Sequence, residues 1–540
     1  MKTLLSFISL VAAQFSHAAP GMELWLYLST NLQRPENVAC ADSLFARAEA
    51  AGYTHVLLAD TKFASVDLRP PEYLENCRKI KAAAERSGLT LVPALFGLGY
   101  SNAHLHRNPN LAEGLPVKDA LFVVRGGEAR LIADPAVTLP GCGTQERERW
   151  KFVDTTLVSD QAAFRATVPT GNARFHAKVR VAKFRCYTIS VRIRTEAFNG
   201  EPACKVLTPS GASLSYTNLS VERSQDWTTH RITFNSLDHD EISVYFGTWG
   251  PAQGTVAWRE PKIEEEGLVN VLRRDGCPLI VKTEEGRTLR EGVDFEAVVD
   301  RRMAERPNPG DFEVWHEAPA IRTALPDGTR LRVSFYHPHV VHKGQVCMCP
   351  SEPETNELLA KQAQNLHALW GATGYMMQHD EWRVLNWDEA CLKRKLTPGV
   401  LVADNVKFCR EVLKKNAPEA RVHVWSDMFD PYHNAIDGYY LVNGNLRGSW
   451  EGLDPSVVII NWNFEKADQS LPFFAARGHR QILAGFYDRN PSTITSWLAS
   501  ARKVPGVIGV MYTTWENDYS QLEEFSRLVS EAEKLSSKAP

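Results

Sequence analysis

A chain of 540 residues with 44% hydrophobic and 23% charged residues has the composition of a globular protein with ample core, and it is too long for one ordinary domain. A net charge of −3 and no long basic run argue against nucleic acid as the main partner. The 14 Trp and 15 Tyr are more than a core strictly requires; most fill the interior, but aromatics also make flat platforms on which sugar rings stack.

The chain opens with Met1-Lys-Thr, an apolar run of about ten residues from Leu4 to Ala13, and small residues at Ser16-His-Ala-Ala-Pro20. This reads as a secretory signal over 1–19, with the mature protein secreted or periplasmic. The run is too short for a bilayer, and no membrane span is expected. Glu23-Leu-Trp-Leu-Tyr-Leu28 is a buried-strand pattern. A helix over 43–51 stops at Gly52, a strand follows over 54–60, a helix over 71–86 ends at Gly88, and a third strand covers 89–96. Such alternation with nearly all-apolar strands implies a parallel sheet covered on both faces.

From about 139 to 266 the apolar period changes to two, as in Phe175-His-Ala-Lys-Val-Arg-Val181 and Tyr187-Thr-Ile-Ser-Val-Arg-Ile193. Short alternating strands between Gly, Asn, Asp and Ser clusters predict an inserted antiparallel β-sandwich. Its pattern resembles the jelly-roll carbohydrate-binding modules, and Trp227, Trp249 and Trp258 belong either to its core or to a glycan groove. Alternation of strand and helix resumes at Leu331-Arg-Val-Ser-Phe-Tyr336, a helix over 353–370, a strand over 375–379, and strands near 422–425, 457–462, 481–487 and 507–512. The expected fold is α/β, a (β/α)8 TIM barrel in two parts, 20–135 and 326–540, interrupted by the sandwich over 136–266 and a β-rich connector over 267–325. Nine candidate strands compete for eight places, and the two that flank the insertion, 89–96 and 331–336, are the ones in question.

Ten cysteines permit disulfides, and Cys40 with Cys77 stays open as a pair. Cys347-Met-Cys349 has no His or Cys nearby at zinc-like spacing, so neither a metal nor a cofactor is expected.

Chemistry concentrates where the late strands end, since barrel sites lie at the carboxyl ends of strands. Those ends deliver Asp380 and Glu381 after Tyr375-Met-Met-Gln-His379, then Trp425 and Asp427, Trp462, Tyr487 and Asp488, and Trp515 and Glu516. Any one could be a helix cap or a core aromatic. Five ends in register are harder to explain as core, because cores exclude carboxylates unless they are paired. Glycosidic bond cleavage needs a general acid and stabilisation of an oxocarbenium-like centre. Adjacent side chains on a strand point apart, which assigns Glu381 to proton donation and Asp380 to substrate positioning.

Cys349-Pro-Ser-Glu-Pro-Glu-Thr355, a helix, the strand ending in Asp380-Glu381, and Trp387 together resemble the family 20 glycoside hydrolases, the β-N-acetylhexosaminidases. The resemblance extends over roughly 345–518. It implies a retaining, substrate-assisted mechanism in which the 2-acetamido oxygen of the sugar attacks its own anomeric carbon. In that scheme Asp380 orients the acetamido group, Glu381 is the acid/base, Tyr487 bonds the acetamido oxygen, Trp425, Trp462 and Trp515 wall the pocket, and Glu516 holds sugar hydroxyls. Gln378-His379 replaces the family's Gly-Gly and puts bulk beside the pocket, and the first strand lacks its arginine. The family 123 β-N-acetylgalactosaminidases, which pair Asp-Glu in the same way, are the nearest rival. The expected partner is a glycan or glycoconjugate. Two alternatives stand beside this reading: a barrel glycosidase with Glu516 or Asp488 as nucleophile, and a non-catalytic glycan-binding protein on the same fold.

Overall fold

The structure is a computed structural model that describes residues 22–536 apart from 161 and 489, so the leader read over 1–19 lies outside the described residues. Eight strands, β1 (Glu23–Ser29), β2 (His55–Ala59), β3 (Thr90–Leu95), β4 (Gly374–Met377), β5 (Arg421–Trp425), β6 (Val458–Asn461), β7 (Gln481–Leu483) and β8 (Val507–Tyr512), close into a parallel barrel in chain order. Pairing of β8 with β1, for example Leu24 with Val510, completes the ring. Alternation sorts the side chains of each strand between two layers. Trp25 and Tyr27 join Leu57, Val92, Met376, Trp425, Ile460, Ile482 and Met511 in the interior cluster, while Leu24, Leu26 and Leu28 pack into the layer under the helices.

Helices α1 (Pro35–Ala50), α2 (Pro71–Arg86), α3 (Pro353–Trp370), α4 (Pro398–Asn416), α5 (Ala467–Ala475), α6 (Thr493–Ala501) and α7 (Leu522–Ser536) cover the outside. Four of them, α1 to α4, begin with Pro in the first turn, where its missing N–H costs nothing. Gly371 closes α3 in the left-handed conformation at φ 52°. In place of an α-helix, the β5–β6 connection is made of the short 3-10 turns Asp427–Phe429 and Ser449–Gly452 and the short strand Leu441–Val442, which pairs with Val384–Leu385. Among the described residues no helix is long and apolar enough to cross a membrane.

The surplus strand of the sequence reading is 331–336. Thr90–Leu95 is the third barrel strand, whereas Arg330–Pro338 pairs antiparallel with Gly114–Arg125 inside a separate six-stranded sheet. That sheet also takes in Glu128–Leu131, Ile280–Thr283, Thr288–Leu289 and Ile321–Arg322. The first barrel segment therefore ends near residue 95 rather than 135, and the barrel resumes at α3 rather than at 326. The physical reason is one-sided burial. Leu331, Val333 and Phe335 are buried while the residues between them are partly exposed, the pattern of a sheet wet on one face. A barrel strand such as β4 is buried at every position.

Between Phe152 and Glu265 lie two five-stranded antiparallel sheets, one containing Ala173–Arg180 and the other Thr255–Glu265. They meet through aromatic contacts. Phe175 of the first packs edge-on against Trp258 of the second at 5.8 Å, and Phe164 against Phe175 at 5.1 Å. Trp258 is fully buried and so belongs to the core. Trp227 and Trp249 are only half-buried, each with a cation over its ring: Arg259 at 4.2 Å and Lys205 at 3.7 Å. Trp258→Ala is expected to cost about 3–5 kcal/mol. Amide exchange checks it: protection should fall in Ala173–Arg180 and Thr255–Glu265 and hold in the barrel strands, and unchanged protection would refute the indole as the link between the sheets.

Candidate active site

A cavity of about 700 Å³ opens at the carboxyl ends of the barrel strands. Asp380 and Glu381 line it together with Trp425, Trp462 and Trp515, as expected from the strand ends. The three indoles and Tyr27 form one aromatic wall. Tyr27 meets Trp425 at 5.9 Å and Trp515 at 5.6 Å, and Trp515 lies 6.3 Å from Trp425 and 6.5 Å from Trp462.

The two carboxylates share this space because the backbone turns at Glu381. Met376, Gln378 and Asp380 follow the inward parity of β4, and an extended Glu381 would point out. Glu381 is instead left-handed at φ 48°, a conformation that costs a non-glycine residue roughly 1–2 kcal/mol. Three segments hold it. The Glu381 N–H donates to Asp427 Oδ2 at 2.9 Å, and Gln345 Nε2 donates to the Glu381 carbonyl at 2.9 Å and to the Gly99 carbonyl at 2.8 Å. Gly99 lies so close that a β-carbon there would stand 2.3 Å from the Asp380 carbonyl oxygen. The expectation that these neighbours point apart is thus corrected by one dihedral angle.

The Glu381 carboxylate pairs with Arg383 at 2.6 Å and accepts the Tyr100 hydroxyl. Asp380 is different. Burial first, then the charges of Asp427 and Glu381, push it well above the usual carboxylate range. Burial raises Asp427 too, to about 6, but it accepts from Glu381 N–H, from Asn434 Nδ2 at 2.9 Å and from Trp462 Nε1 at 3.4 Å, bonds that favour its ionised form and that Asp380 lacks. The proton of this close pair therefore resides on Asp380. Asp60 also lines the cavity, but its oxygens already accept from Leu32 N–H at 2.9 Å, Tyr73 hydroxyl at 3.0 Å and Lys62 N–H at 3.0 Å.

Six expected contact residues stand outside the lining. His379, of outward parity, is fully buried against α4, 3.1 Å from Asn405 Oδ1, and burial lowers its pKa to about 4. Tyr487 is fully buried in the outer layer, stacked on Tyr512 at 5.9 Å and edge-on to Phe525 of α7 at 4.7 Å. Asp488 caps the loop that presents Trp515, accepting Trp515 N–H at 2.9 Å and Glu516 N–H at 3.2 Å. Glu516 is exposed. Asp427 anchors the Glu381 turn. Trp387 donates its indole N–H to the Leu441 carbonyl at 2.7 Å, tying the loop after β4 to the loop after β5.

Sequence reasoning passed over Tyr27, Tyr100 and Arg383, which line the cavity, and gave Gln378 only as bulk beside the pocket, where it too is part of the lining. Tyr27 and Gln378 sit at inward positions near their strand ends, so parity alone would have found them. His342 and Lys343 line this cavity and also a second one of about 950 Å³, which runs between the sandwich and the segment 312–315.

No known family model and no curated protein sequence matches the chain. Among solved structures it is similar to a β-N-acetylhexosaminidase from Bacteroides fragilis NCTC 9343 (11% identity over 95% of this chain and 66% of that one, TM-score 0.38). It is also similar to a chitobiase from Flavobacterium johnsoniae (10% over 96% and 52%, TM-score 0.36) and to a rhamnosidase from Novosphingobium sp. PP1Y (11% over 95% and 59%, TM-score 0.35). The chain spans between 52% and 66% of the length of these enzymes. Likenesses this distant leave the chemistry to the site itself.

A buried carboxyl held neutral is a liability that pH exposes. The folded-state pKa of Asp380 is raised, so its penalty is absent below the unfolded value near 4 and grows as pH rises toward the folded value. Stability should fall over that window by at most about 1.4 kcal/mol per pH unit. Asp380→Asn should melt higher than the wild type at pH 7 and equally at pH 4. Equal melting temperatures at both would refute the burial of this proton.

Proposed function

We propose that the protein is a glycoside hydrolase of the retaining, substrate-assisted type, acting on glycans that carry a terminal 2-acetamido sugar. One observation carries the reading: the cavity's two available carboxylates are side by side on one wall, and the alternative nucleophiles are engaged or displaced. Asp488 is consumed in capping the Trp515 loop and Glu516 is exposed outside the lining. Asp60, the third carboxylate of the lining, is held by three hydrogen bonds; with every other carboxylate in the lining so engaged, a nucleophile supplied by the substrate is the economical solution.

In this reading the sugar ring lies against Trp425, Trp462 and Trp515. Asp380, once ionised, accepts the acetamido N–H and turns the carbonyl oxygen toward the anomeric carbon. Glu381 delivers the proton to the leaving oxygen and then takes one from water. Arg383 pairs with this carboxyl, and the entering leaving-group oxygen takes its place. Tyr27 takes the role that resemblance gave to Tyr487. Its side chain is buried in the cavity wall, and burial above all pushes its pKa up to about 12, so it remains a hydrogen-bond donor at working pH. The second cavity, which shares His342 and Lys343 with the first, gives room for the remainder of a glycan.

Aryl β-glycosides of N-acetylglucosamine and N-acetylgalactosamine should be cleaved, and the same glycosides without the acetamido group should not. Equal rates on both would overturn the assisted mechanism. Glu381→Gln should lower kcat about 10²–10⁴-fold on substrates with poor leaving groups, with a much smaller loss on activated aryl leaving groups. Tyr27→Phe should lower kcat by about tenfold or more with little change in KM, because its bond matters most as the acetamido oxygen attacks.

A further inference from the structure

Outside the cavity lining, Glu113, Cys349, Asp388 and Cys391 converge in a fully buried cluster, with one potential ligand atom of each within 4.8 Å of all the others. They come from three parts of the chain. Glu113 precedes Gly114–Arg125, where the chain leaves the barrel. Cys349 precedes α3, where it returns. Asp388 and Cys391 belong to the cap and first turn of the short helix Glu389–Lys393, just past the catalytic pair.

The spacing of these atoms is that of a coordination shell. Cys349 Sγ lies 3.5 Å from Cys391 Sγ and 3.5 Å from Asp388 Oδ1, and Cys391 Sγ lies 3.6 Å from Glu113 Oε2. A tetrahedral zinc ion with sulfur at about 2.3 Å and oxygen at about 2.0 Å puts neighbouring sulfurs about 3.8 Å apart and sulfur about 3.5 Å from oxygen. A disulfide would instead need sulfurs at about 2.05 Å. The outer shell is in place as well. Arg274 donates to Asp388 Oδ2 at 2.6 Å, the Cys391 N–H donates to Asp388 Oδ1 at 3.0 Å, the N–H of Trp387 donates to Glu113 Oε1 at 2.7 Å, and Ser351 Oγ lies 3.2 Å from Cys391 Sγ. These bonds orient the carboxylates, leaving one Glu113 oxygen toward the cluster. Two thiolates and two carboxylates carry four negative charges, which Arg274 and a divalent cation together reduce to one.

We propose that Glu113, Cys349, Asp388 and Cys391 bind one zinc ion. Four protein ligands and no solvent-facing position make it a structural site, one that joins the chain's exit from the barrel, its return, and the loop that follows Glu381. Sequence spacing hid it, since Cys391 lies 42 residues beyond Cys349 and Glu113 lies far upstream.

Zinc content of the full chain, purified without chelator, tests the proposal by plasma mass spectrometry with thiol titration after denaturation. About one zinc per chain and all ten thiols reactive are expected. X-ray absorption should give a shell of two sulfurs near 2.3 Å and two oxygens near 2.0 Å. A metal-free protein with ten thiols, or one with two thiols fewer and a Cys349–Cys391 disulfide, would overturn it. Cys391→Ser should lose the zinc; where that variant fails to fold, the wild type melted with and without a zinc chelator replaces it. The chelator should lower the melting temperature and re-added zinc should restore it; no shift overturns the structural role. None of these readouts depends on glycosidase activity.

Discussion

The site depends on a single backbone turn. Were Glu381 extended, its carboxylate would face the helices and Asp380 would stand alone in the cavity. The left-handed turn brings both acids to one side, and nothing within the strand itself supports it. Its restraints come from elsewhere: Asp427 from the β5 end, Gln345 from the segment returning from the insertion, and Gly99 from the loop after β3. Each is uninformative in isolation. Together they make an intrinsically unfavourable dihedral the stable one, which is how strain persists at a functional position.

Electrostatics follow from the same turn. Asp380, Glu381 and Asp427 are forced into one neighbourhood, and one arginine, Arg383, faces them from the same loop. Arg383 and the Tyr100 hydroxyl engage Glu381, and three hydrogen-bond donors engage Asp427. Asp380 is left with burial and two negative neighbours, so it keeps its proton. A fold selected for stability alone would not place it there. The cost is of the kind functional sites carry and the rest of the protein offsets.

How much of this could be read from the sequence varied with the range of the interaction. The barrel was legible because strand burial and helix periodicity are local: the sequence reading of α2 over 71–86 and α3 over 353–370 matches Pro71–Arg86 and Pro353–Trp370. The pocket tryptophans were legible because strand ends converge in any closed barrel. Misassignments arose where position along the chain stood in for direction. His379 and Tyr487 are near strand ends but have outward parity, and Asp488 is an acid near a strand end that serves a backbone. Strand 331–336 was assigned to the barrel although Arg332 and Ser334, alternating with Leu331, Val333 and Phe335, mark a one-sided sheet. The Glu381 turn was not legible, because each restraint on it lies at least 36 residues away in sequence.

The insertion is consequently more than an appendage. The chain leaves the barrel after β3 and returns at α3, so every residue of the returning segment is placed by the sheet and sandwich it comes from. That segment contains Gln345, which clamps the Glu381 turn, and His342 and Lys343, which border both cavities. A barrel cut free of its insertion would keep Asp380 and the tryptophans but lose the clamp and one wall of the second cavity. The geometry of the acid pair and the shape of the second cavity are therefore set by the same stretch of chain. A change in the insertion that moves this stretch alters both at once.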